Sequence, residues 1–165
     1  QVVLLIETVG CFADTAKLRS FFESMISDNL AALWDLHYPF RVCGESPATT
    51  IKNLGAYVRH IHLNDSNDDK NYALPGEGSL PMTTIMNALR SVNYDGFISM
   101  EWNPAWDEVN DIHVIFPYFI SYMKRFERKG TSTVLYENNA HTGKFLWKKE
   151  TLIKKTFSQV LDDVV

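Results

Sequence analysis

The stretch "VRHIHLNDS" (Val58–Ser66) joins a strand-like apolar alternation to an abrupt run of polar side chains. We interpret its first part as a buried β-strand, because apolar residues at alternate positions match the two-residue period of a strand. His60 is expected to face the opposite side of this strand from His62, as a packed and hydrogen-bonded histidine. The polar groups that follow can bind a proton or a metal, and they therefore predict one wall of a functional site.

Three further short apolar runs, "VVLLIE", "LAALWD" and "GFISME", occur elsewhere in the chain. The segments between the runs have the spacing of amphipathic helices, and one of them begins with Ser46 as a predicted N-cap and Pro47 at the first helical position. The last and most apolar helical segment should be kinked or interrupted at Pro117. Apolar strands that alternate with amphipathic helices are typical of βα units and a parallel sheet, so the predicted fold class is α/β.

Each of the four predicted strands ends in a side chain that can bind a proton or a metal. These side chains are Glu7, Asp35, His62 and Glu101. Because the carboxyl ends of parallel strands face the ligand site in α/β folds, we expect the four to share one site. A single glutamate at a strand end is usually solvated or caps the next helix. The prediction therefore depends on the joint pattern and not on any one residue.

Three carboxylates and one imidazole form an oxygen-rich ligand set. Such a set favours a hard divalent ion, Mn²⁺, Co²⁺ or Mg²⁺, with Zn²⁺ as a further candidate. The ion can polarise a carbonyl oxygen while a neighbouring carboxylate removes a proton from the adjacent carbon. Proton abstraction and return at that carbon give the isomerisation or epimerisation of a sugar, and this pattern predicts such an activity.

The charge distribution argues against nucleic acid as a partner. The net charge is −4 at pH 7, but nine of the 16 Lys/Arg residues lie from Lys124 onward, so the preceding body is strongly acidic. Such a body disfavours phosphate backbones and suits a site that collects cations. No apolar run approaches the roughly 20 residues that span a bilayer, and the first residues lack the features of a signal peptide. Cys11 and Cys43 are most simply free thiols in a reducing compartment, which predicts a cytoplasmic location.

The runs "LLIE", "LWDLH", "VRHIHLNDS", "LPGEGSLP" and "YDGFISMEW" resemble, in this order, the second half of the xylose isomerase-like TIM barrels. These barrels form the sugar phosphate isomerase/epimerase superfamily. The resemblance covers residues 1–126 and implies strands five to eight of a TIM barrel, which is a half-barrel. The activity that it implies is metal-dependent, and the implied partner is a small-molecule sugar, cyclitol or other polyol.

The same resemblance assigns roles to individual residues. It implies Glu7, Asp35, His62 and Glu101 as the metal ligands, with Glu7 and Glu101 also acting as the catalytic acid/base pair. The "PGEG" segment, which contains Glu77, resembles the loop that closes over substrate. The predicted substrate contacts are His37, Glu77 and Trp102. Asp65 resembles a residue that supports the ligand histidine from behind.

The length of the chain limits this prediction. A complete barrel has eight strands and about 250 residues, so we expect a missing N-terminal half-barrel or a homo-oligomer to complete the pocket. Residues 127–150 are predicted to be linker-like. Residues 151–165 are predicted to form a terminal helix, which is weakly similar to the start of an AMP-forming acyl-CoA synthetase.

Two alternatives compete with the metal-dependent isomerase or epimerase. The first is a non-catalytic half-barrel that serves as an accessory or assembly module of a larger fusion protein. The second is an endonuclease IV-like DNA repair enzyme, suggested by "HLNDS". It is disfavoured by the acidic body and by the loop "NDDKNYALPGEG", which contains no histidine. The sequence does not identify the sugar, because much of the pocket wall would lie in the missing strands.

Overall fold

The computed structural model describes residues 2–25, 27–103 and 112–126, together with the backbone of two strands at 133–139 and 144–150. The strands are β1 (Leu4–Glu7), β2 (Leu30–Asp35), β3 (Val58–Leu63), β4 (Asp65–Ser66), β5 (Tyr72–Ala73), β6 (Phe97–Met100), β7 (Thr133–Asn139) and β8 (Lys144–Glu150). The helices are α1 (Thr15–Ser24), α2 (Tyr38–Cys43), α3 (Pro47–Leu54), α4 (Met82–Ser91) and α5 (Ile112–Met123). Short 3₁₀ turns cover Gly10–Ala13 and Lys124–Phe126.

The central sheet has the strand order β1-β2-β3-β6-β8-β7, and its first four strands are parallel. A helix or helix pair follows each of these four strands in the chain. The predicted α/β class and the four βα units are confirmed. The small strands β4 and β5 form a separate antiparallel hairpin after β3.

Helices pack on one face of the sheet and bury a single apolar core. Trp34, Ile61 and Met100 contribute from the strands, and each is at most 2% exposed. Helix α3 begins as predicted, because the Ser46 side chain accepts a hydrogen bond from the Thr49 amide and Pro47 occupies the first turn. None of the helices among the described residues is long and apolar enough to cross a membrane.

Helix α5 continues through Pro117, so the predicted interruption does not occur there, and the alternative of a kink stays a prediction. The helix runs from Ile112 to Met123 without ending at the proline. Pro117 is the sixth residue of the helix, so its missing amide removes one hydrogen bond close to the N-terminal end. Packing of the following turns compensates for this loss, since Phe119, Tyr122 and Met123 are all buried in the core.

The other face of the sheet carries the histidines of β3. The register between β2 and β3 shifts after Ala32, where β3 has one extra residue, Arg59. His60 and His62 then lie on the same face, with ring centroids 5.5 Å apart. Our prediction that they face opposite sides was wrong, because residues two apart on a strand share a face. His60 is hydrogen-bonded as expected, since its Nε2 lies 2.5 Å from the Ser99 hydroxyl.

The segment that we predicted to be linker-like contains a β-hairpin. Strand β8 pairs antiparallel with both β7 and β6, and Ile98 lies opposite Trp147 in the second pairing. The sequence runs "TVLYENN" and "KFLWKKE" are rich in β-branched and aromatic residues, which favour strands. Residues 151–165, including the predicted terminal helix, lie outside the described residues.

Candidate metal centre

The four side chains that we predicted as metal ligands converge at the carboxyl ends of the parallel strands. One candidate ligand atom from each of Glu7, Asp35, His62 and Glu101 lies within 4.8 Å of the other three. His62 occupies a central position, because its Nδ1 is 2.7 Å from Glu7 Oε1 and 3.4 Å from Glu101 Oε2. Parallel pairing of β1, β2, β3 and β6 produces this convergence, since it brings the same end of every strand to one edge.

The electrostatics of this cluster fit a bound cation. Burial and the neighbouring Glu101 carboxylate raise the pKa of Asp35 well above its ordinary value. Burial lowers the pKa of His62, but hydrogen bonds to Glu101 and Glu7 outweigh it and raise that pKa to about 9. Three carboxylates gathered around one imidazole concentrate negative charge that a divalent cation would neutralise. The donor set of three oxygen groups and one ring nitrogen suits a hard or borderline ion.

Asp35 is held in place by several hydrogen bonds. Its Oδ1 accepts from the backbone amides of His37, at 2.7 Å, and Tyr38, at 3.4 Å. Its Oδ2 accepts from the side-chain nitrogen of Asn64 at 2.9 Å. The Thr8 hydroxyl oxygen accepts a hydrogen bond from the backbone amide of Asp35 at 2.9 Å. The carboxylate therefore belongs to a rigid, fully buried part of the site.

His37 lies beside the cluster, within a network of its own. The residue is 1% exposed. Its ring stacks on Tyr72 with the centroids 4.8 Å apart, and its Nδ1 lies 3.0 Å from the Ser66 hydroxyl. Burial and the charge of Arg41 lower the pKa of His37, which favours the neutral imidazole. These contacts support the β4–β5 hairpin. A contact between His37 and a substrate stays a prediction.

Arg41 was not identified from the sequence, although it joins two loops of the site. Its guanidinium donates to the Ser66 hydroxyl at 3.0 Å, to the Ser66 carbonyl, and to the Ser79 hydroxyl at 2.8 Å. A single arginine on a short helix has no distinctive sequence pattern. Only the path of the two loops shows that Arg41 fastens them together.

Asp65 holds the loop that follows β5 in place. Its carboxylate is 1% exposed and accepts hydrogen bonds from four backbone amides, those of Ser66 (2.8 Å), Gly76 (2.8 Å), Gly78 (3.1 Å) and Leu80 (3.2 Å). We predicted that Asp65 supports His62, but no hydrogen bond joins the two in the part of the chain that the structure describes. The reason is geometric, because the loop returns directly over Asp65 and its amides take both carboxylate oxygens.

The remaining predicted substrate contacts, Glu77 and Trp102, lie near this loop and the strand end of β6. Glu77 Oε1 accepts a hydrogen bond from the Tyr118 hydroxyl of α5 at 3.0 Å. Trp102 is half-buried and packs against the core. Their contact with a substrate stays a prediction. The bond from Tyr118 fastens the PGEG loop (Pro75–Gly78) to α5 on its outer side.

We expect Gly76→Ala to destabilise the fold more than Gly44→Ala. Both glycines have positive φ, +86° and +64°, so each alanine costs roughly 1–2 kcal/mol of backbone strain. A Cβ at Gly76 would lie 2.3 Å from Cε2 of the buried Tyr122, whereas a Cβ at Gly44 meets nothing within 4 Å. Urea unfolding of both variants measures the difference, which we expect to be about 1–3 kcal/mol. Equal losses would show that the loop yields to the added methyl group.

Comparison with known proteins defines the class to which this fold and cluster belong. Residues 1–113 match the model of the xylose isomerase-like TIM barrel family. This match covers well over half of the 165 residues. The chain belongs to the xylose isomerase-like TIM barrel family.

Individual relatives agree with this class. The chain is 30% identical over 107 residues to an uncharacterised protein of Methanocaldococcus jannaschii, an alignment that covers 62% of this chain and 36% of that protein. It is 41% identical over 54 residues to D-psicose 3-epimerase of Enterocloster bolteae, with coverage of 33% and 17% respectively. A crystal structure of D-psicose 3-epimerase in the presence of D-fructose superimposes on this chain with a TM-score of 0.60 at 20% sequence identity. The superposition covers 74% of this chain and 47% of the epimerase chain, and it shows that the two share a fold. The chain thus spans less than half the length of each of these proteins.

Proposed function

We propose that this chain acts as a divalent-metal-dependent sugar epimerase or isomerase domain, whose pocket is completed by a second half-barrel. The convergence of Glu7, Asp35, His62 and Glu101 within 4.8 Å carries the proposal. The similarity to D-psicose 3-epimerase supports a small sugar or related polyol as the substrate class. The metal is Mn²⁺, Co²⁺ or Mg²⁺, since oxygen-rich ligand sets favour these ions.

In this proposal, the two glutamates move the proton. A divalent cation held by the four residues would polarise the substrate's carbonyl oxygen and neutralise the charge that develops on it. One of Glu7 and Glu101 then accepts the proton from the carbon next to the carbonyl, and the electron pair of the broken C–H bond passes toward the carbonyl oxygen. The other glutamate returns a proton to the opposite face of that carbon, which inverts its configuration. Asp35, which is fully buried, serves as a ligand alone.

Proton exchange tests this activity more sensitively than product formation. We expect the chain with Mn²⁺ in D₂O to incorporate deuterium into D-fructose at C3 if it acts as an epimerase, or at C1 if it acts as an isomerase, because these two carbons flank the C2 carbonyl. NMR distinguishes the two positions. Glu7→Gln should lower the exchange rate by about 10²-fold or more, because it removes a general acid/base group. Glu23→Gln, on the exposed face of α1, is the matched control and should exchange at the unaltered rate. The proposed catalytic activity would be refuted if the protein binds Mn²⁺ but exchanges no proton, both alone and together with a complementary half-barrel.

A second candidate, a non-catalytic accessory module, is supported by the position of the C-terminal hairpin. Strand β8 occupies the edge of β6, and a closed barrel needs that edge for another parallel strand. A stable oligomer that forms equally well with and without divalent metal would favour this candidate. An endonuclease IV-like site receives no comparable support, since the one candidate cluster among the described residues contains a single histidine.

A further inference from the structure

Asn64 is a buried polar residue next to the candidate metal centre, and none of our site assignments uses it. It directly follows β3, and only 2% of its surface is exposed. Its side-chain nitrogen donates to Asp35 Oδ2 at 2.9 Å. Its side-chain oxygen is buried and has no hydrogen-bond partner in the part of the chain that the structure describes.

The hydrogen bond from Asn64 holds one of the two oxygens of the Asp35 carboxylate, Oδ2. Oδ1 is fixed by the backbone amides of His37 and Tyr38, which belong to the same turn as Asp35. Oδ2 receives its hydrogen bond from a different strand end, that of β3. Because the two oxygens are held from two separate elements, Asn64 and the local turn together restrain rotation of the carboxylate, and Asn64 is the side-chain donor to Oδ2.

The Asn64 side-chain amide has a partner for its nitrogen but, among the described residues, none for its oxygen, and this indicates the role of the residue. Buried amide groups in proteins almost always have partners for both their nitrogen and their oxygen, because an unpaired buried polar atom is unfavourable. If Asn64 served packing alone, nothing would offset the free-energy cost of its unpaired side-chain oxygen. Its one described hydrogen bond is to a member of the candidate cation cluster.

We propose that Asn64 is a positioning residue, which sets the orientation of the Asp35 carboxylate for the bound cation. The inference rests on the metal centre proposed above. If the inference holds, the "HLNDS" stretch contributes two residues to the metal centre: His62 as a ligand and Asn64 as the residue that orients another ligand, Asp35. Residues that orient metal ligands in this way typically change metal affinity by 10- to 100-fold when they are replaced.

Metal binding by variants of the full chain tests this inference. Asn64→Leu and Asn64→Ser are compared with Thr50→Val. Thr50 is also a buried residue, and the change removes its half-buried side-chain hydrogen bond to the Glu45 carboxylate at 2.6 Å. We expect both Asn64 variants to bind Mn²⁺ 10- to 100-fold more weakly, as measured by the electron paramagnetic resonance signal of the free ion. Thr50→Val should bind Mn²⁺ as the unaltered chain does.

A spectroscopic signature separates positioning from general destabilisation. At saturating Co²⁺, the visible absorption bands report the ligand geometry, so they should shift in the Asn64 variants and stay unchanged in Thr50→Val. The melting temperatures in EDTA should fall no further for Asn64→Ser than for Thr50→Val.

Each outcome of this experiment decides between the two proposals. Asn64 variants that bind Mn²⁺ within twofold of the unaltered chain, with an unaltered Co²⁺ spectrum, overturn the role of Asn64 and leave the metal centre standing. An equal loss of affinity in Thr50→Val also overturns it. Failure of the unaltered chain to bind any divalent ion overturns the metal centre and, with it, this inference. If Asn64→Leu does not fold, Asn64→Ser alone decides.

Discussion

Glu101→Gln is expected to abolish the rise in melting temperature that Mn²⁺ or Co²⁺ gives the unaltered chain. A ligand present at a hundred times its dissociation constant stabilises the folded state by about 2.7 kcal/mol. For a domain of this size, that energy corresponds to an increase of about 5–10 °C. Glutamine has nearly the same shape as glutamate but no charge, and it would remove one of the three carboxylates of the cluster. Differential scanning fluorimetry with and without each metal measures the effect.

The matched control for this prediction is Glu23→Gln. Glu23 lies on α1, where it pairs with Arg19 at 2.7 Å, and its side chain is 51% exposed. The substitution removes the same charge without touching the cluster, so the metal-induced rise should be retained in full. A melting curve of the unaltered chain that does not respond to any divalent metal would count directly against the proposed centre.

Asp65→Ala should lower the free energy of unfolding by about 3–5 kcal/mol, the largest single-residue loss that we expect. The substitution leaves four backbone amides without their acceptor, and two of them, those of Ser66 and Leu80, belong to buried residues. Each buried unpaired donor costs roughly 1–3 kcal/mol before the loop relaxes, and the other two amides cost less because water can reach them. Local relaxation and water entry reduce the sum. Urea unfolding measures the total, and hydrogen exchange at Gly76, Gly78 and Leu80 should show that the protection lost is local to the loop.

The turn between β4 and β5 contains a control for this prediction. Asp68 also accepts three hydrogen bonds, from the amides of Lys70 and Asn71 and from the Asn71 side chain, but it is exposed. Water can replace an acceptor there, so Asp68→Ala should cost less than about 1 kcal/mol. Comparable losses in both variants would mean that burial of the Asp65 carboxylate contributes little.

The sequence was sufficient to predict the parallel sheet and the convergence of the four cluster residues. Both follow from local patterns, because each strand is an apolar run and each cluster residue stands at its end. Parallel pairing then brings these ends together whatever the details of the loops. The error about His60 arose from misapplied strand geometry and not from missing information, since the two-residue period already places it beside His62.

Contacts made by loops and by non-local turns could not be predicted in this way. Asp65 accepts hydrogen bonds from backbone amides up to 15 residues away, and Arg41 donates to the Ser66 carbonyl and the Ser79 hydroxyl, which are 25 and 38 residues away. These partners depend on the path of the chain. Asn64 meets Asp35 across 29 residues for the same reason. The hairpin of β7 and β8 was missed because residue patterns do not specify which strand a hairpin will join.

The antiparallel pairing of β8 with β6 has a kinetic consequence for any experiment that supplies a complementary half-barrel as a separate polypeptide. Four residue pairs join these two strands, from Phe97 and Lys148 to Met100 and Phe145. An incoming strand cannot use that side of β6 until the hairpin has left it. We therefore expect the association rate to reach a plateau as the concentration of the added polypeptide rises, because hairpin release and not collision becomes the slow step.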